Sequence, residues 1–169
     1  MTWTAYIDES KRKDYLLCAV VVPAVDKARI QQELKRAKGR RHQIHMNDLD
    51  KADRKRFATL AAGLGVQAYV FSTRGPGRDR ELRDIVLDAA VPYLVAQGCG
   101  ELVLESSTLN HGDRMKIHNI LGPGHSTGYR HDGKNELLLA LPDIFAWSWG
   151  AGGWFKTAVK PVVTDLGMF

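Results

Sequence analysis

The stretch Trp3-Thr4-Ala5-Tyr6-Ile7-Asp8-Glu9-Ser10, followed by the polar Lys11-Arg12-Lys13-Asp14 and then Tyr15-Leu16-Leu17-Cys18-Ala19-Val20-Val21-Val22-Pro23, decides the fold. From Thr2 to Asp8 the chain alternates and is rich in β-formers. From Tyr15 to Val22 it is an unbroken apolar and β-branched run, closed by a proline. Alternation suits a strand with two different faces, and a continuous run suits one covered on both. The reading is a β-hairpin whose second strand is central and buried.

Outward from the hairpin, Ala28, Ile30, Leu34 and Ala37 predict a helix between Val25 and Lys38, stopped by Gly39. A second helix follows, capped by Asn47 or Asp50, with Phe57, Leu60, Ala61 and Leu64 as its buried stripe. Val66 to Thr73 reads as a third strand, and Gly75-Pro76-Gly77 forbids regular structure after it. Arg80 to Ala96 is helical with a kink expected at Pro92. Glu101 to Ser107 reads as a fourth strand, Asp113 to Leu121 as a short helix and Thr127 to His131 as a short fifth strand. Asn135 to Gly150 is a helix apolar nearly all round, hence central, leading into a terminal helical region. Strands and helices alternate, which implies an α/β sheet with helices on its faces. The opening hairpin makes that sheet mixed.

At 169 residues the chain has the size of one domain, spanning 1–169. With 44% hydrophobic and 25% charged residues it has the composition of a soluble globular protein. No apolar run approaches the ~18 residues of a membrane span. No basic-then-apolar leader precedes the first strand, so a cytoplasmic location without a membrane partner is expected. Cys18 and Cys99 have neither metal-ligand nor disulfide spacing and read as reduced thiols. The formal charge of +5 and pI near 9.3 favour a polyanionic partner. That charge is concentrated in Lys35, Arg36, Lys38, Arg40 and Arg41, and again in Lys51, Arg54, Lys55 and Arg56.

Three acidic residues stand where apolar elements should carry no charge: Asp8 after Trp3 to Ile7, Glu105 after Leu102-Val103-Leu104, and Asp143 within Leu137 to Trp147. A carboxylate in or at the end of a buried element is costly unless it is paired or holds a cation. Singly, each has an ordinary explanation: a turn after Asp8, an exposed edge at Glu105, a helix cap at Asp143 behind Pro142. Together they point to one site for hard divalent cations, magnesium or manganese, which take oxygen ligands. Two such ions stabilise the attacking and the leaving oxygen of a phosphoryl displacement. In that scheme Asp8 bridges both, and Glu105 and Asp143 hold one each.

The opening Tyr6-Ile7-Asp8-Glu9-Ser10, then Ile44-His45, Asn47-Asp48-Leu49, and finally Asn135-Glu136-Leu137-Leu138 with Pro142-Asp143-Ile144, resembles a large bacterial family of uncharacterised proteins. That family is recognised by an IDESG opening, a middle Ile-His motif and a late leucine-rich Asp motif, and is grouped with the ribonuclease H-like superfamily. The resemblance covers nearly the whole chain. It implies a mixed five-stranded sheet with flanking helices and a metal-dependent nuclease centre. Asp8 matches the first-strand aspartate, Glu105 the acidic residue after the fourth strand, Asp143 the aspartate of the last core helix, and His45 the marked histidine. One departure is plain. Lys11 replaces the glycine that closes the family's opening motif, against the usual tight turn there.

His45 and Asp48, three apart at a helix start, are expected to face the same way, with His45 holding a phosphate, moving a proton, orienting Asp8 or Glu9, or simply bonding within the fold. Glu9 points to the opposite sheet face from Asp8. His125 or His131 is a candidate for the loop histidine that aids product release in ribonuclease H-like sites. No zinc spacing and no nucleophile elbow is present, which argues against a zinc or serine hydrolase. Trp147, Trp149, Trp154 and Phe155 read as core packing or as the contact of a homodimer rather than as base-stacking residues. The expectation is a metal-dependent nuclease acting on RNA or DNA, with the basic clusters on the nucleic-acid backbone. The alternative is a non-catalytic module on the same fold that binds nucleic acid or protein.

Overall fold

In the computed structural model, which describes residues 2–133 and 135–169, the hairpin forms as its pattern requires. β1 (Trp3–Lys11) and β2 (Tyr15–Pro23) pair antiparallel from Trp3 opposite Pro23 to Lys11 opposite Tyr15. β1 therefore runs straight through the position where a glycine turn was in question. Lys11 ends the strand, and its ammonium lies 2.6 Å from Asp79. Every residue of β2 is buried.

α1 (Lys27–Lys38) and α2 (Lys51–Ala62) follow, the second capped by Asp50, which accepts the amide of Asp53 at 2.8 Å. β3 (Gln67–Thr73), α3 (Asp79–Ala96), β4 (Cys99–Glu105), α4 (Asn110–Leu121) and β5 (Gly128–Asp132) complete the alternation. Pro92 sits inside α3 without ending it. The apolar segment begins with a 3-10 turn at Leu137–Leu139 and continues as α5 (Ala140–Ala151), leaving Asn135 and Glu136 outside the helix.

The terminal region is not purely helical. After α6 (Gly153–Val159) a strand, β6 (Val163–Met168), adds to the sheet beside β3, so among the described residues the expected five strands are six, in the order β5-β4-β1-β2-β3-β6. Its exposed, weakly apolar sequence belongs on an edge, where half of the ladder faces solvent and little apolar signal is needed. β1 pairs with β4, β4 with β5, and β3 with β6 in parallel, and β2 runs antiparallel to both its neighbours.

The pleat divides the core in two. Tyr6, Cys18, Val20, Val70 and Val103 face one layer with α1, α2 and α5, while Ile7, Leu17, Ala19, Phe71 and Leu104 face the other with α3 and α4. α5, expected to be central, is buried over most of its length between β1, β2 and α2. Among the described residues no helix is long and apolar enough to cross a membrane.

Candidate active site

Position in the sheet determines how Asp8 and Glu105 meet. Ile7 on β1 pairs with Leu104 on β4, so the next residues out, Asp8 and Glu105, leave neighbouring parallel strands side by side. Asp8 follows Ile7 by one residue and so shares the face of Tyr6. Glu105, two after Val103, points the same way. Asp143 in the first turn of α5 reaches the same place from across that face.

Asp8, Glu105 and Asp143 line one cleft of about 610 Å³ with His45, Asn47, Trp147, Arg12 and the end of β1. Trp147 lies one helical turn after Asp143 and hence on the same side of α5. Among the described residues no group of three or more His, Cys, Asp or Glu side chains is close enough around one point to hold an ion as it stands. The carboxylates share a cleft without closing into a cage. Their chemistry, all oxygen and little compensated, nevertheless suits a hard divalent cation.

Asp8 is only 6% exposed, and its carboxylate accepts the adjacent Glu9 amide at 2.8 Å. Burial, and then the charges of Glu9, Glu105 and Asp143, push its pKa well above the ordinary range. Neither Asp8 nor Glu105 has a cationic partner among the described residues. Burial also raises Asp143, against the lowering effect of the Met46 amide, which donates to its Oδ2 at 2.8 Å, and of His45. The carboxylate of Asp143 thus ties α5 to the segment entering α2 rather than capping its own helix.

His45 stands where expected relative to Asp48, with Nδ1 3.6 Å from its Oδ2, and Nε2 lies 3.8 Å from Asp143 Oδ1. Its acidic neighbours are these two rather than Asp8 or Glu9. Glu136 shares a narrow pocket with His45, Glu105 and Asp143. It is a further carboxylate beside the site that the sequence reading left without a role, though it also accepts the Leu138 amide at 3.2 Å and lies 3.6 Å from Arg130.

Glu9 takes the opposite face, as the pleat requires. Its carboxylate meets Arg83 of α3 at 3.0 Å. Arg83, 1% exposed, also forks onto Asp113 of α4 at 2.7 and 2.9 Å and reaches the Tyr15 hydroxyl at 3.1 Å. Arg80 lies 2.9 Å and His131 3.0 Å from the same aspartate. Burial by itself would raise Asp113, but the hydrogen bonds from His131 and Arg83 dominate and hold it at about 2. His131 is therefore a strand residue, not a loop one, with its covered side chain tied to Asp113, and His125 lies in a loop beside Tyr129; neither lines the carboxylate cleft. Arg83 went unread, although a lone arginine in register with Val86, Leu87, Ala90 and Leu94 on the buried stripe of α3 was its signal.

The basic clusters divide. Asp53 pairs with Arg41 and Arg56, while Arg54 donates to the carbonyls of Met46 at 2.8 Å and Asn47 at 3.2 Å. The guanidinium carbon of Arg54 lies 4.7 Å from the Trp147 ring centre and that of Arg12 5.0 Å. Trp147 packs edge-to-face on Phe155, with ring centres 4.9 Å apart. Its cover comes from within the chain, and no contact between copies is needed to explain it.

No protein-family model and no curated protein matches the sequence, so the particular bacterial family of the IDESG-like opening gains no support from sequence comparison. Among solved structures the chain is similar to the RNase HII of Archaeoglobus fulgidus, determined in complex with PCNA. The TM-score is 0.51 at 14% identity over 85% of this chain and 69% of that one. That likeness and the strand order establish a ribonuclease H-like fold, with β6 as an additional edge strand.

Proposed function

We infer that this ribonuclease H-like domain is a metal-dependent nuclease that hydrolyses phosphodiester bonds in RNA or DNA. The observation that carries the reading is the shared cleft of Asp8, Glu105 and Asp143, with no cation among the described residues paired to the first two. The nuclease name of the structural neighbour favours the same chemistry.

Asp8, Glu105 and Asp143 would hold magnesium or manganese, Asp8 as the shared ligand. When bound, such an ion supplies Lewis-acid polarisation of a scissile phosphate and lowers the pKa of water. Crowded carboxylates with raised pKa values gain most from a cation, because it relieves their mutual repulsion. His45, set between Asp48 and Asp143, is placed to hold or pass a proton at Nε2, and the Met46 amide keeps Asp143 turned into the cleft. Basic residues around the cleft, Arg12 first among them, contact the nucleic-acid backbone in a salt-sensitive, largely sequence-independent way.

The looser spacing of the carboxylates favours a second reading, a module that binds nucleic acid without cutting it. One experiment separates the two. Labelled single- and double-stranded RNA and DNA are incubated with magnesium, manganese or chelator, and the wild type is compared with Asp8→Asn and Asp143→Asn. Metal-dependent cleavage by the wild type, lost in both variants, is expected. Full activity in Asp8→Asn would sink the nuclease mechanism, and binding without turnover on any strand type would favour the second reading.

A further inference from the structure

The carboxylate cleft does not end at the hairpin turn. Ser10 and Arg12, which line it, also line an adjoining groove of about 370 Å³ whose other walls include Lys13, Trp149, Gly150 and Lys156. The two hollows thus adjoin at Ser10 and Arg12.

The groove has a definite charge. Arg12, Lys13 and Lys156 line it against Asp14 and Asp165, and Asp14 is already engaged by Arg74 at 2.6 Å. Asp165 accepts the amide of Gly167 at 2.9 Å. None of the three cations has a carboxylate partner within salt-bridge distance among the described residues. Lys35, Arg36 and Arg40 also lack such partners, but they line neither hollow.

Two of the groove cations are held by indoles. Lys156 Nζ lies 4.5 Å from the Trp149 ring centre, and the Arg12 guanidinium carbon 5.0 Å from that of Trp147. Arg12 also has a slot of its own. A Cβ on Gly150 would come within 3.1 Å of Arg12 Cδ and 3.3 Å of its Nε, so the missing side chain gives the arginine its path across α5. Cations stacked on aromatic rings along an open groove are the pattern that tracks a single strand, with phosphates meeting the charges and unpaired bases meeting the rings.

We propose that the Arg12–Trp149–Lys156 groove is a binding site for unpaired nucleotides, which receives the part of a single-stranded RNA or DNA that extends from the carboxylate cleft. This rests on the nuclease reading for its direction but concerns binding, so it is tested without turnover. Twelve-nucleotide labelled RNA and DNA, single- and double-stranded, are titrated in chelator across a salt series, with anisotropy as the readout. The proteins are the wild type, Arg12→Glu with Lys156→Glu, Trp149→Ala, and a charge-matched control on the far side, Arg114→Glu with Lys116→Glu.

The groove charge reversal is expected to weaken single-strand binding by roughly tenfold or more and to lower the salt slope by about two. Trp149→Ala is expected to weaken it at every salt concentration with the slope unchanged. The milder Arg12→Gln with Lys156→Gln, checked by near-ultraviolet circular dichroism, must act in the same direction. Equal losses in the far-side control, unchanged affinity in the groove variants, a preference for duplex, or no binding by the wild type would each overturn the site. The two readings fail separately. Cleavage with unaltered binding in the groove variants sinks the groove alone, and groove-dependent binding without any cleavage sinks the nuclease alone.

Discussion

Asp8 and Glu9 are neighbours on one strand, both are acidic, and they have opposite circumstances. Glu9 faces the layer of α3 and α4, where Arg83 meets it and Asp113, Tyr15 and His131 complete a buried polar network. Asp8 faces the layer of α5, where Glu105 and Asp143 are its charged company. A buried charge with a good partner is structural, and its loss leaves that partner stranded. A buried carboxylate among other carboxylates works against the fold unless something binds there, which is why the Asp8 face is the one we propose as functional.

The contrast can be broken by mutation. Arg83→Ala takes the guanidinium from half-buried Glu9 and leaves buried Asp113 with Arg80 and His131 alone, and should cost about 3 to 5 kcal/mol in urea unfolding. A loss below 1 kcal/mol would mean that the network is not what holds this face. On the other face, ligand binding should stabilise. Magnesium at about a hundred times its dissociation constant should add about 2.7 kcal/mol to the wild type and nothing to Asp8→Asn with Asp143→Asn. Thermal shifts equal in both proteins would place the ion elsewhere.

Acid sharpens the comparison. Asp113 titrates at about 2 in the folded protein, below the ~3.9 of an unfolded aspartate, so the unfolded chain binds more protons between those values. Its stabilisation is complete above about pH 4 and is lost as the pH falls towards 2, a change on the order of 2 to 3 kcal/mol. Unfolding at pH 2 to 5 should show that slope in the wild type and lack it in Asp113→Asn. Equal slopes would refute the assignment. The smallest effect carries the opposite sign. Asp8→Asn in chelator at neutral pH should raise stability slightly, because a raised pKa means the ionised form opposes folding. A comparable loss on making that change would show that Asp8 is structurally paired after all.

Much of the fold was legible because its signals are local. The alternation of β1, the unbroken apolar run of β2 and the stripes of α1 and α2 each state their environment in a few residues. β6 was not legible, since an edge strand with little buried area carries little pattern. Asp8, Glu105 and Asp143 stood out by interrupting apolar runs. Arg83 was passed over, although its register with the buried stripe of α3 was a signal. His131 misled in the other direction. A histidine near a glycine-rich break suggested a mobile loop, but pairing of β5 with β4 sets its side chain against Asp113.

The aromatic segment after Asp143 shows where sequence reading stops. The sequence offered Trp147 as core packing or a homodimer contact, and nothing in it placed Arg12, from the far end of the hairpin, or Arg54, from α2, against the ring. By itself the sequence determined the elements up to α5, their order along the chain, and which acidic residues violate their surroundings, because propensity, periodicity and the cost of burying charge act over a few residues. Only the tertiary structure decided which charges have partners. Pairing depends on side chains brought from distant parts of the chain to within a few ångströms, and that distance separates the paired face of β1 from its open one.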